Sequence, residues 1–266
     1  MKRKISILIL ALVATMGVQS AMAWGGQGHR ISAYIAEQHL TPEAKAKCEY
    51  YLKHSLPYFA SWMDYWRNIP PFREIHYWHT CTVDENLVPV GKPGYPTRDA
   101  AYQTERILKE MGGGKYKQLS DSIVMVNLKV LVHMVPDMHC PSHTGYPKSL
   151  GKRVGPMMVK GTKYAMHKFW DASPYLLHPQ WTVQRYAEAV DTYSPKKIKK
   201  IQKGTATKWG IENACTMEAS YTLWESGDEF TEISEEQRKA IEEHTFMALA
   251  KGGYRLAAVL NTIFNE

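Results

Sequence analysis

Apolar residues recur at helical spacing along nearly the whole chain. They do so in residues 29–39. They do so again from Thr41, where Thr41-Pro42-Glu43 supplies an N-cap and a first-turn proline, to about His54. A further helix is predicted over 57–67. The stretch "RDAAYQTERILKEM" is amphipathic and stops at Gly112-Gly113-Gly114. Ser120 to about Met138 is strongly apolar, the pattern of a central buried helix. "WTVQRYAEAV", "SPKKIKKIQK" and the segments 206–226 and 234–263 complete the set, the last opening on a Ser234–Gln237 capping box. Two stretches break the pattern. Residues 69–98 are rich in proline and aromatics, and residues 144–165 in glycine, proline and lysine. Long loops in a helical domain often carry function. The expected fold class is all-α, a single multi-helix domain with long loops around a cleft.

The first 23 residues form a different unit. Lys2, Arg3 and Lys4 precede the apolar run "ISILILALVATMGV", and Ala21 and Ala23 satisfy the small-residue cleavage rule. The run is too short for a membrane span. We therefore expect a signal peptide over 1–23, a domain over 24–266, and export to the periplasm or out of the cell. The whole chain carries a formal charge of +7. Three of those positive charges lie in the leader, and the mild remainder fits either an anionic substrate or an ordinary solvated surface. Four cysteines, Cys48, Cys81, Cys140 and Cys215, favour disulfides in an exported protein, with three possible pairings. Cys140 lies in a histidine-rich stretch, where it is a metal ligand or a structural or free thiol.

Candidate chemistry is concentrated in histidine and aspartate. "HMVPDMHCPSH" offers His133 and Asp137 on one helix face at i, i+4, then His143 beyond Pro141. Pro136 should kink this helix. His139 falls on another face and reads as a supporting or surface residue. "MHKFWD" repeats the spacing with His167 and Asp171. "ASWMDYWR" gives Asp64 with Arg67 one turn on, and "EIHYWHT" gives His76 and His79. A lone buried histidine is usually a satisfied core group, but two such pairs and a third histidine point to metal, and zinc takes imidazole and carboxylate in groups of three or four. Cleavage after Ala23 would free the Trp24 amine, whose pKa of about 7.7–8.0 lets it lose a proton to a metal near neutral pH. The glycines that follow let His29 turn to the same ion.

With these elements in order over residues 24–171, the chain resembles the secreted trinuclear-zinc, single-strand-specific nucleases that also act as 3'-nucleotidases, sisters of zinc-dependent phospholipase C. The resemblance implies three zinc ions: one held by Trp24 and His29 with Asp137 bridging, a close neighbour held by Asp64, His76, His133 and Asp137, and a third held by His143, His167 and Asp171. It implies hydrolysis of single-stranded DNA or RNA to 5'-phosphate products by a zinc-bridged hydroxide, with release of phosphate from 3'-mononucleotides. Asp64, Arg67 and Asp137 take the catalytic roles, Arg67 at the phosphate. Tyr77, next to His76, falls where the family stacks a base; it could equally be a core aromatic. No stable membrane span and a monomer are expected.

Two positions depart from the family pattern. His79 stands where an aspartate commonly hydrogen-bonds the base, and the loop "GKRVGPMMVKGTKYAMHKFWD" lacks the usual Gly-Gly-Asn. Lys148, Lys152, Arg153, Lys160 and Lys163 in that region could attract a polyanion or simply be solvated. Two other readings stay open: a phospholipase C-type phosphodiesterase, against which Asp171 stands where that branch typically has glutamate, and a non-catalytic zinc-binding protein.

Overall fold

A computed structural model describes residues 24–90, 99–145, 157–222 and 232–265, with side chains left aside for 218–222. The leader, the loop lysines Lys148 and Lys152 and the arginine Arg153 lie outside these residues. The architecture is all-α. Among the described residues the helices are α1 (Gly26–Gln38), α2 (Pro42–Leu52), α3 (Leu56–Phe59), α4 (Trp62–Trp66), α5 (Ala100–Met111), α6 (Asp121–Asp137), α7 (Met166–Leu177), α8 (Val183–Val190), α9 (Pro195–Ile201), α10 (Ala206–Thr222) and α11 (Glu235–Phe264). None is long and apolar enough to cross a membrane.

The predicted start signals act as capping physics requires. Thr41 accepts from the Ala44 amide at 3.2 Å ahead of Pro42. Ser234 and Gln237 form a full capping box at the head of α11. The apolar segment from Ser120 becomes α6, buried continuously from Val130 to Asp137. One expectation fails. Residues 57–67 are not one helix but α3 and α4, parted at Ala60 and Ser61. The break turns the Ala60 carbonyl outward to a histidine of α6 instead of into a helical ladder.

Helix α11 runs unbroken through Gly252 and Gly253, and these glycines let α1 and α6 approach it closely. A Cβ at Gly253 would fall 2.7 Å from Ile35 Cβ, and one at Gly252 would fall 3.3 Å from Pro136 Cα. The apolar faces of α1, α7 and α11 close one core around Trp24, Phe169, Trp170 and Tyr254. A second core gathers Met63, Leu128, Leu131 and Leu260 around α6.

The described parts of the two irregular stretches carry short paired strands. A 3-10 segment over Phe72–His79 leads into β1 (Cys81–Thr82), which pairs in parallel with β2 (Thr144–Gly145), Cys81 opposite Thr144. A hairpin follows, β3 (Met157–Val159) with β4 (Thr162–Tyr164), turned by Lys160 and Gly161 at positive φ. The expected disulfides are not formed: all four cysteines are free. Their settings differ. Cys48 is buried in α2, Cys81 packs under Gly210, Cys140 lies beside Asp171, and Cys215 is exposed on α10.

Candidate metal centre

Asp137 is the hub. It ends α6, fully buried, and four imidazoles converge on it. His29 from α1 brings Nε2 to 3.2 Å of Oδ1. His133, one turn back on α6, brings Nε2 to 3.2 Å of Oδ2. His79 brings Nδ1 to 2.9 Å of Oδ2, and His143 brings Nδ1 to 3.3 Å of Oδ1. Asp64 on α4 completes this side, its Oδ2 3.9 Å from His133 Nε2. The rings of His29 and His133 stack with centroids 3.8 Å apart.

Backbone contacts orient these ligands. His133 donates Nδ1–H to the Ala60 carbonyl at 2.7 Å, leaving Nε2 to face the hub. His143 donates Nδ1–H to the His79 carbonyl at 2.9 Å, leaving Nε2 to face Asp171 at 3.4 Å. The β1–β2 pairing explains that second bond, because it sets the end of the 3-10 segment beside the segment carrying His143. On α7, His167 and Asp171 share a face at i, i+4, with Nε2 3.2 Å from Oδ2. His167 is 48% exposed, so this end of the cluster opens to solvent. Arg67 sits at the end of α4, 3.3 Å from Asp64 and 20% exposed.

Burial and charge are in tension here. Burial would push the Asp137 carboxyl up, but His143, His133 and His29 outweigh it and hold the group well below the usual carboxylate range. Burial pulls His79 down to about 4, which leaves it a neutral imidazole. Burial would also lower His143, but Asp137 and Asp171 raise it to about 9.

The centre holds buried polar atoms that no hydrogen bond satisfies: both ring nitrogens of His29, both oxygens of Asp64, His79 Nε2, Asp137 Oδ1, His143 Nε2 and Asp171 Oδ2. Buried polar atoms are normally paired. A group of them converging from four helices and two loops fits cations. Three sets of side chains could each hold one: His29 with His133 and Asp137, Asp64 with His79 and His133, and Cys140 with His143 and Asp171.

Two sequence expectations are corrected. His76 does not join the centre; it is exposed, and His79 stands in its place. Side chains three apart on a 3-10 turn share a face but differ by about 6 Å in height, so "IHYWH" offers two registers and the deeper one is used. Tyr77 goes with His76, edge-on to its ring at 5.3 Å. The residue after the histidine in the centre is Thr80, which carries no ring to stack a base. The odd histidine of the family pattern is thus the one in the cluster. Ile75 and His79 are the buried residues of this segment, and no sequence signal singles out His79 over His76.

His139 is not a surface residue. It is buried under α6, donating Nδ1–H to the Val135 carbonyl at 2.8 Å and accepting at Nε2 from Arg255 at 2.9 Å. Trp24 is fully buried, with Nε1–H on the Pro136 carbonyl at 3.1 Å, and the Gly25 amide bonds the Asp171 carbonyl at 2.6 Å. These bonds tie the start of the domain to both metal-type helices.

Fold and site define an all-α domain whose His/Asp cluster can accept metal ions. The model of the S1/P1 Nuclease family matches residues 24–265, and the chain belongs to that family. It is similar to Nuclease P1 of Penicillium citrinum, 25% identical over 90% of this chain and 97% of that one. It is similar to Endonuclease 2 of Arabidopsis thaliana, 23% identical over 97% and 96%. The chain is thus a nuclease, and the family match favours nucleic acid over phospholipid.

Proposed function

We propose that the protein is a zinc-dependent endonuclease of single-stranded DNA and RNA, exported after loss of residues 1–23, that leaves 5'-phosphates and also removes the phosphate of 3'-mononucleotides. The observation that carries this reading is the set of unsatisfied buried atoms around Asp137 and Asp171. Its donor chemistry is imidazole and carboxylate, the chemistry of zinc. Three ions are assigned: one on His29 and Asp137 with the freed Trp24 amine, one on Asp64, His79, His133 and Asp137, and one on His143, His167 and Asp171. Bound zinc supplies an acidified water and polarises phosphoryl oxygen.

The chain's own groups do the rest. Asp137, held ionised by its neighbours, presents an oxygen to each side of the hub. The Ala60 and His79 carbonyls hold His133 and His143 in the tautomers that turn Nε2 toward Asp137 and Asp171 respectively. Arg67, anchored by Asp64 yet partly exposed, donates to the phosphoryl oxygens as negative charge builds on them. His167, at the solvent-exposed end of the cluster, is the residue this reading sets beside the leaving 3' oxygen.

The test is hydrolysis by zinc-loaded protein beginning at Trp24, followed on single-stranded DNA, RNA, 3'-AMP and phosphatidylcholine. Cleavage of nucleic acid to 5'-mononucleotides with phosphate release from 3'-AMP is expected. Turnover of the lipid alone would overturn the reading.

A further inference from the structure

We propose that Cys140 is a thiolate ligand of the ion assigned to His143 and Asp171, which makes that site a sulfur-containing one. The inference rests on the zinc reading above and adds to it a residue that the His/Asp pattern does not include.

The geometry points to it. Cys140 is fully buried, and its Sγ lies 3.6 Å from Asp171 Oδ1. His143 Nε2 lies 3.4 Å from the same oxygen. A tetrahedral zinc ion with bonds of about 2.3 Å to sulfur and about 2.0 Å to nitrogen and oxygen sets sulfur and oxygen about 3.5 Å apart, and nitrogen and oxygen about 3.3 Å apart. The two observed separations are therefore edges of such a polyhedron. The three donor atoms all lie within 4.8 Å of one another.

Two further observations are independent of the thiol. His143 Nε2 and Asp171 Oδ2 are buried with no hydrogen-bond partner. They are short of a cation whether or not a cysteine stands beside them. Asp171 also divides its oxygens, Oδ1 toward Cys140 and His143 and Oδ2 toward His167 at 3.2 Å. The buried side of the site is thus sulfur, nitrogen and oxygen, and the half-exposed imidazole lies on the solvent side. Ser142 Oγ is 3.3 Å from the sulfur, placed to hydrogen-bond a thiolate. Binding exchanges one bond for another: the Sγ–H bond breaks, an Sγ–metal bond forms from the sulfur electron pair, and the proton leaves to solvent as the divalent cation arrives. Nothing is oxidised or reduced.

X-ray absorption at the zinc edge reads this directly, without turnover. The fully zinc-loaded protein should show a sulfur shell at about 2.3 Å beside nitrogen and oxygen at about 2.0–2.1 Å, amounting to one sulfur in the whole complement of ions. Cys215→Ser should keep that shell, because Cys215 is the exposed thiol. Cys140→Ser should lose it. Cys48 and Cys81 belong to the apolar core, so the wild-type and Cys215→Ser spectra decide the matter even if Cys140→Ser does not fold. A loaded, active nuclease with only nitrogen and oxygen around zinc would overturn this inference and leave the proposed function standing. A protein that takes up no zinc would overturn both.

Discussion

His133 donates its Nδ1–H to the Ala60 carbonyl at 2.7 Å, and this bond decides which ring nitrogen faces Asp137. The contact joins a helix break to the metal centre, so removing the ring harms both. His133→Ala should strip zinc and also strand a buried carbonyl, costing about 1–3 kcal/mol of stability even in chelator. His167→Ala, at the half-exposed end, should reduce activity while moving the chelated protein's urea midpoint little. Parallel urea titrations with and without zinc check both.

His79 and His76 differ by one 3-10 turn. His79→Ala should lower single-strand cleavage by about 100-fold or more and reduce bound zinc, since even indirect supports of a metal are worth about 10–100-fold. His76→Ala should stay within about twofold on both counts, the ordinary scatter for a residue off the site. Zinc analysis alongside the rate separates a lost ligand from a lost substrate contact.

Arg67 is proposed to contact the phosphate and not the metal. Arg67→Ala should cut kcat by about 100- to 1000-fold, as for other donors aimed at developing negative charge, with zinc content unchanged. Arg67→Lys should recover only part of the loss, because a point charge lacks the planar fork. Loss of zinc in Arg67→Ala would instead mean that its contact with Asp64 holds the ligand in place.

Trp24 is locked by its indole and by the Gly25 amide, so its backbone nitrogen is fixed next to α6 and α7. Protein with any residue retained ahead of Trp24 should bind one zinc fewer and lose most of its activity, though its circular dichroism should be unchanged. Full zinc content with a blocked amine would remove the amine from the ligand set.

Glu212 on α10 receives Lys251 at 2.5 Å and also pairs with Arg255. Burial would raise its carboxyl, but hydrogen bonds and charge from Lys251 and Arg255 hold it at about 2, against an ordinary 4.5. A depressed carboxylate contributes stability that is fully present above 4.5 and is lost as pH falls toward 2. Partial exposure screens the effect. The stability gap between wild type and Glu212→Gln should therefore be constant at neutral pH and close across that acid window, as read from thermal midpoints.

Helix spacing, caps and the i, i+4 pairs on α6 and α7 were legible because they are local. Each needs only a few residues of chain to be stated. His79 was not, because two histidines three apart satisfy the same local pattern, and only burial separates them. The break at Ala60 was not, because its cause is an imidazole 73 residues away. The role of His139 was hidden for the same reason: its partner Arg255 comes from the far end of the chain.

Gly252 and Gly253 let the last helix press against the helices that carry His29 and Asp137. They are a latch between the two ends of the helical domain: a side chain at Gly253 would run into Ile35 and one at Gly252 into Pro136, prying apart the helices that set His29 beside Asp137.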